Sequence, residues 1–150
     1  YDDPYKQYIH SLIDRCNIRN RTVFFDANHL EISGYMNASD IIVLPSITTN
    51  NFKEEYGRVA PEAMASGCLV VVSDSGTLPE LVGEYGWIFK EGSTTELTNI
   101  LIHLMSLKEQ EKFVSKSSSY AHQTLGINRQ AFLMDKIFKD LNSNRSYNHT

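Results

Sequence analysis

The sequence predicts an α/β fold: a parallel sheet with helices on both faces, three layers in all. Three observations predict it. Ile41-Ile42-Val43-Leu44 is an apolar run without alternation, closed by Pro45, as expected of a central strand covered on both faces and paired in parallel. Short β-branched or aromatic runs alternate with helical stretches along the chain. No repeat or low-complexity tract interrupts that alternation.

Each element has its own signal. Tyr5, Tyr8, Ile9, Leu12, Ile13 and Cys16 recur at helical spacing behind Pro4, which predicts a helix over 4–17. Thr22-Val23-Phe24-Phe25, stopped by Asp26 and Asn28, predicts a buried strand, and a short helix is expected over 30–36. After the strand at 41–44 comes a polar, turn-rich loop over 46–53, then Gly57 and a helix over 59–65 capped by Gly67. Further strands are expected over 69–72 and 87–89, with one helical turn over 78–82 between them. Ser93 with Glu96 and Ser106 with Glu109 read as capping boxes that open C-terminal helices. Leu97, Ile100, Leu101 and Leu104 form one apolar stripe; Phe132, Leu133, Ile137, Phe138 and Leu141 form another on a last helix opening near Asn128. Residues 1–141 read as a domain and 142–150 as a polar, frayed tail.

Composition narrows the class. The 150 residues are 41% hydrophobic and 21% charged, a globular balance, and a domain of this size buries about 70% of its unfolded surface. The net charge of −4 argues against a general nucleic-acid binder. Cys16 and Cys68 make neither a disulfide framework nor a four-ligand zinc site, which suits a reducing compartment. No apolar run approaches the ~20 residues of a membrane span. His10, His29, His103, His122 and His149 are scattered without metal-ligand spacing. The chain starts at Tyr1 rather than Met and shows no signal peptide, so it reads as processed or as a piece of something longer.

In open parallel sheets ligands bind outside the carboxyl ends of the strands, which directs attention to the loops after Phe25, Leu44 and Val72. The second is the richest. Gly57 stands just before a helix, where the amides of Arg58, Val59 and Ala60 are expected to point unpaired toward an anion such as a phosphate. Glu54 precedes that helix and Glu62 lies eight positions later inside it. Ionised carboxylates only accept hydrogen bonds, so they suit sugar hydroxyls rather than phosphate, and the layout fits a nucleotide sugar. The same residues also fit a plainer arrangement in which Glu54 or Glu55 complements the helix dipole and Glu62 faces solvent. Arg58 and Lys53 flank the anion position, Trp87 reads as core, and His103 as a structural or surface residue.

Residues 39–89 contain SDIIVLPS, EEYGRVAPEAMASGCLVVVS and DSGTLPELVGEYGWIF. This stretch resembles the C-terminal half of retaining glycosyltransferases of the GT-B fold, family 4, also called group 1. The likeness rests on two glutamates separated by seven residues, the Tyr56-Gly57 pair, the EAMA helix, the valine-rich strand and the glycine loop ending in Pro79-Glu80. It implies a Rossmann-like, nucleotide-sugar-binding domain lacking its first two strands, with those strands expected between residues 22–25 and 41–44 in the intact sheet. It also implies that Glu54 contacts the donor sugar, Glu62 the ribose, and the backbone of Gly57, Arg58, Val59 and Ala60 the diphosphate. Asp26, Ala27 and Asn28 resemble the stretch that reads the base, with Leu30 near its ring. Gly76 and Thr77 fall in the loop that closes behind sugar and phosphate, although Thr77 stands where a second glycine is common. Glu55 takes a position where the family often has a small residue or Pro.

The implied activity is transfer of a hexose-type sugar from a nucleoside-diphosphate sugar to an acceptor hydroxyl, with retention and with neither metal nor cofactor. The acceptor, a saccharide or lipid-linked saccharide, would use an N-terminal domain not present here. The basic pair that neutralises the diphosphate would lie upstream, so this chain alone is expected to bind donor and be inactive. The resemblance further implies polysaccharide biosynthesis in the cytoplasm or peripherally at the inner face of a membrane, with no nucleic-acid partner. A nucleotide-sugar epimerase of the same fold and a non-catalytic nucleotide-sugar-binding module are the alternatives.

Overall fold

The computed structural model describes residues 3–28 and 30–145, and the chain divides into two units, Tyr1–Glu31 and Ile32–Thr150. The first unit is built on helix α1 (Pro4–Arg15). Asp3 caps it by accepting from the Tyr5 N–H at 2.9 Å, Pro4 fills the first turn without losing a helical bond, and Asn17 ends it at φ +53°. Arg19 folds back to form a two-point pair with Asp14 and holds that carboxyl below its ordinary range.

Residues 22–25 are not a strand. Val23 is 80% exposed and Phe24 52%, and Phe24 packs its ring 4.8 Å from that of His10. The reason is geometric. A strand is held by the neighbour that completes its ladder, and the described residues of this unit offer only α1 and the 3-10 turn Arg19–Arg21.

The second unit opens with α2 (Ile32–Asn37), displaced by two residues from its expected start because Asn28 caps the turn before it, accepting from the Leu30 and Glu31 amides. Strand β1 (Ile41–Leu44), helix α3 (Val59–Ala65), strand β2 (Leu69–Ser73), helix α4 (Leu78–Val82) and strand β3 (Trp87–Phe89) follow. The sheet is parallel in the order β1-β2-β3, with Ile41 beside Leu69 and Val71 beside Trp87. Thus β2, not β1, is the central strand, and residues 41–44 are only part-buried at an edge. An unbroken apolar run marks a strand covered on its faces; it does not say how many ladder partners the strand has.

All five residues of β2 are buried, and their alternation serves two cores. Val70 and Val72 face Ala60, Ala63 and Met64 of α3 and Leu78 and Val82 of α4. Leu69 and Val71 face Phe89 of β3 and helix α5 (Thr94–Ser106), whose Leu97, Ile100, Leu101 and Leu104 supply the apolar stripe. Burying a side chain of this size contributes about 1.5–3 kcal/mol, so one short strand anchors both faces. Helix α6 (Gln110–Tyr120) closes the edges of both cores, with Phe113 packed 4.3 Å from the ring of Trp87. The small side chains Ala60 and Ala63 let α3 lie close on the sheet. That helix ends in a Schellman turn: Cys68 N–H bonds to the Ala63 carbonyl at 3.0 Å and Gly67 N–H to that of Met64 at 3.1 Å.

The capping boxes form only in part. Ser93 accepts from the Glu96 N–H, but the Glu96 carboxylate reaches past it to the Lys90 N–H at 2.8 Å. Ser106 caps nothing: α5 continues through it, its hydroxyl donates back to the His103 carbonyl, and α6 starts after Glu109 with no side-chain cap. Propagating an existing helix costs less than nucleating a new one, so the extra turn absorbs Ser106. A π-helical turn (Ala121–Leu125) then leads to α7 (Ile127–Arg145). Residues 142–145 are therefore helical, and 146–150 lie outside the described residues. The α7 stripe is uncovered, with Phe132 57% and Phe138 57% exposed. Among the described residues, no helix is long and apolar enough to cross a membrane.

Candidate functional site

The chain leaves β1 at Pro45, which cannot extend a ladder, and Ser46 follows beyond the carboxyl end of the sheet. The Ser46 carbonyl accepts from the hydroxyl of Ser73, the buried last residue of β2, at 2.7 Å. Its own hydroxyl donates to Glu54 Oε2 at 3.1 Å, while Glu54 Oε1 accepts from the Gly57 N–H at 3.0 Å. One carboxylate therefore joins the end of β1 to the turn that begins α3.

Two glycines make that turn possible. Gly57 has φ +44°, and a Cβ there would sit 2.5 Å from Leu78 Cδ2. Gly76 has φ +59°, and its Cβ would lie 1.7 Å from the Glu54 carbonyl oxygen. That approach lets Thr77 reach the neighbouring loop: its N–H donates to the Glu54 carbonyl at 3.1 Å and its hydroxyl to the Glu55 carbonyl at 3.0 Å. Glu54, Gly57, Gly76 and Thr77 are thus brought together by backbone contact between the loops after β1 and β2.

The start of α3 differs from the expected cradle of three free amides. The Ala60 N–H is already bonded to the Gly57 carbonyl at 2.9 Å, which tightens the first turn. The Arg58 and Val59 amides have no acceptor among the described residues, so two amides, not three, are left unpaired on exposed residues. Glu62 is exposed and lines, with Arg58, a cleft of about 420 Å³ whose walls include Tyr56, Pro61, His122 and Gln130. Glu55 is exposed and engaged through its carbonyl. No group of three His, Cys, Asp or Glu among the described residues is placed to hold a metal ion.

Sequence reasoning missed a second set of polar residues at the same sheet edge. Thr48 and Ser75 share a hydroxyl–hydroxyl bond of 2.9 Å, Glu91 accepts from the Thr48 N–H at 3.0 Å, and the Glu91 N–H donates to Asp74 at 2.7 Å. The Thr48 N–H, helped by the Thr48 and Ser75 hydroxyls, holds the Glu91 carboxyl below its ordinary range, against partial desolvation and the nearby Asp74 charge. Ser46 and Ser73 were open to discovery as the residues ending two strands. Glu91 gave no signal, because its partner is 43 positions away.

Residues 2–120 match the family described as Glycosyl transferases group 1. The chain belongs to this family. The amylovoran biosynthesis glycosyltransferase AmsK of Erwinia amylovora is 40% identical over 77 residues, covering 49% of this chain and 19% of that protein. The Anabaena protein Alr3699/HepE, solved in complex with UDP, is 27% identical with a TM-score of 0.78 over 93% of this chain and 37% of its own. The C-terminal domain of the group 1 glycosyltransferase LpcC from Francisella tularensis gives a TM-score of 0.72 at 24% identity, over 84% of this chain and 65% of that one. The chain spans about a fifth of the length of the curated relatives it matches. The fold is that of the C-terminal half of GT-B glycosyltransferases.

Asp26, Ala27 and Leu30 belong to the first unit. Leu30 is 90% exposed, and its N–H is bonded to Asn28 Oδ1 at 2.9 Å. Trp87 is part-buried and packs against the core cluster of Leu69, Val71, Phe89 and Leu104. Lys53 is exposed.

Proposed function

We propose that this chain is the donor-binding part of a retaining glycosyltransferase that moves a hexose-type sugar from a nucleoside-diphosphate sugar to an acceptor hydroxyl. The carrying observation is the Glu54 carboxylate fixed beyond the ends of β1 and β2 with each oxygen used only once. A carboxylate offers about four acceptor positions, so two remain for the hydroxyls of a sugar. The Arg58 and Val59 amides take diphosphate oxygens, and Glu62, on the rim of its cleft, takes the ribose diol. Gly76 and Thr77 brace the loop behind the sugar. The UDP complex of the Anabaena protein makes uridine the first base to test.

In the intact enzyme the bond from the anomeric carbon to the diphosphate oxygen breaks while the acceptor oxygen bonds to the same face. The acceptor proton passes to the leaving phosphate oxygen. Glu54 and Glu62 act as binding and positioning groups, so the protein contributes mainly through electrostatics and orientation rather than acid–base chemistry. No metal or cofactor takes part in this scheme. The acceptor, a saccharide or lipid-linked saccharide, docks on a part of the polypeptide beyond this chain, and the chain alone transfers nothing. Polysaccharide biosynthesis, in the cytoplasm or peripherally at the inner face of a membrane, is the setting; the name of AmsK, an amylovoran biosynthesis glycosyltransferase, supports the polysaccharide part.

Calorimetric titration of the chain with UDP, GDP and ADP tests the reading: one of the three binds in preference, and binding of none overturns it. In a full-length enzyme, Glu54→Gln lowers kcat by about a hundredfold; an unchanged kcat removes Glu54 from the site.

A further inference from the structure

The role of Glu54 depends on where its carboxylate points, and a loop residue does not hold that direction by itself. A glutamate has three rotatable side-chain bonds, and the 46–53 segment before it is polar and turn-rich. Two hydrogen bonds fix it. The Gly57 N–H lies three residues away on the same turn. The Ser46 hydroxyl comes from outside that turn, eight residues upstream. Ser46 in turn belongs to the rigid part of the molecule: it follows β1 directly, and its carbonyl is bonded to the fully buried hydroxyl of Ser73 on β2.

The sheet, Ser73, Ser46 and Glu54 thus form a continuous chain of contacts from a buried strand to a part-buried carboxylate. Ser46 uses one hydroxyl donor on one Glu54 oxygen, which orients the group and leaves its remaining lone pairs open. Substituting Ser46 by alanine removes only that link; the Ser46 carbonyl and its bond to Ser73 are backbone-borne and stay.

We infer that Ser46 is a positioning residue for the donor sugar, acting through Glu54 by fixing its carboxylate to the end of the sheet. This rests on the proposed role of Glu54. Its signature is selective. A group that aims Glu54 affects recognition of the sugar and leaves recognition of the nucleoside diphosphate intact, whereas a merely structural serine affects both or neither.

The test is calorimetric titration of the 150-residue chain with UDP and with UDP-glucose, comparing wild type, Ser46→Ala and Ser46→Thr. Ser46→Ala is expected to weaken UDP-glucose binding by about 5- to 30-fold, the scale of one hydrogen bond to a charged group, with UDP binding within about twofold of wild type. Ser46→Thr, which keeps the hydroxyl, restores most of the loss. An unchanged ratio of UDP-glucose to UDP affinity in Ser46→Ala, or equal weakening of both ligands, overturns the inference while leaving the donor-site reading standing. A wild-type chain that binds neither ligand overturns both. If Ser46→Ala does not fold, as judged by thermal melting, Ser46→Cys replaces it: its weaker donor predicts a partial loss confined to UDP-glucose, and a wild-type ratio again overturns the inference.

Discussion

Residues 22–25 and β2 look alike as sequence and have opposite fates. Both are short, β-branched-rich, apolar runs stopped by polar residues. Val23 is 80% exposed and forms no strand, while Val70, Val71 and Val72 are completely buried at the centre of a sheet. Nothing in the four residues themselves makes the difference. β2 has a parallel partner on each side and helices over each face, so its hydrogen-bonding groups and side chains are all satisfied. A strand is a property of its neighbours, and apolar pattern only nominates candidates.

The comparison is broken most directly by placing a charge in each run. Val71→Asp buries an unpaired carboxylate against Phe89 and Leu104 and is expected to cost more than about 4 kcal/mol, abolishing the cooperative transition in thermal melting followed by circular dichroism. Phe24→Asp should keep that transition within a few degrees of wild type; loss of folding there would show that residues 22–25 are held by more than their exposure indicates. A smaller effect sharpens the point in the loops. Gly76→Ala sets a Cβ against the Glu54 carbonyl and demands a strained φ, so denaturant unfolding should show a loss of about 2–4 kcal/mol, and wild-type stability would mean that the two loops separate at little cost.

The smallest effect concerns the tie from Glu91 to Thr48. Because the folded carboxyl titrates below its ordinary value of 4.5, its stabilising contribution is complete above that pH and is lost as pH falls through the lower folded value. Hydrogen exchange at the Thr48 amide should therefore show protection that declines only on acidification, and Glu91→Gln should reduce it a few-fold already at neutral pH. Equal protection in wild type and variant would place the tether elsewhere.

The candidate site was legible in part for the same reason that the runs were. Glu54, Gly57 and Glu62 announce themselves through spacing around one helix start, and Gly76 through its place after a strand. Their mutual contact was not legible, since the Thr77 bonds to Glu54 and Glu55 span two loops. Ala60 was misread as a free amide because whether a first turn closes as 3-10 or α depends on how the preceding glycine is packed. The second capping box failed on a similar choice: a serine and a glutamate at the right spacing fit a cap, but α5 ran on through the serine.

The elements legible from the residues alone are those held by forces within a few positions of one another. These include the capped α1, the left-handed turn after α3, the helical turn at Leu78–Val82 and the motif that marks a group 1 glycosyltransferase. Folding of the whole chain settles which apolar runs become strands, which strand stands at the centre, and that Ser46, Thr77 and Glu91 converge on the loops after the sheet. Those outcomes rest on hydrogen bonds and burial between residues tens of positions apart, which form only once the chain has closed on itself.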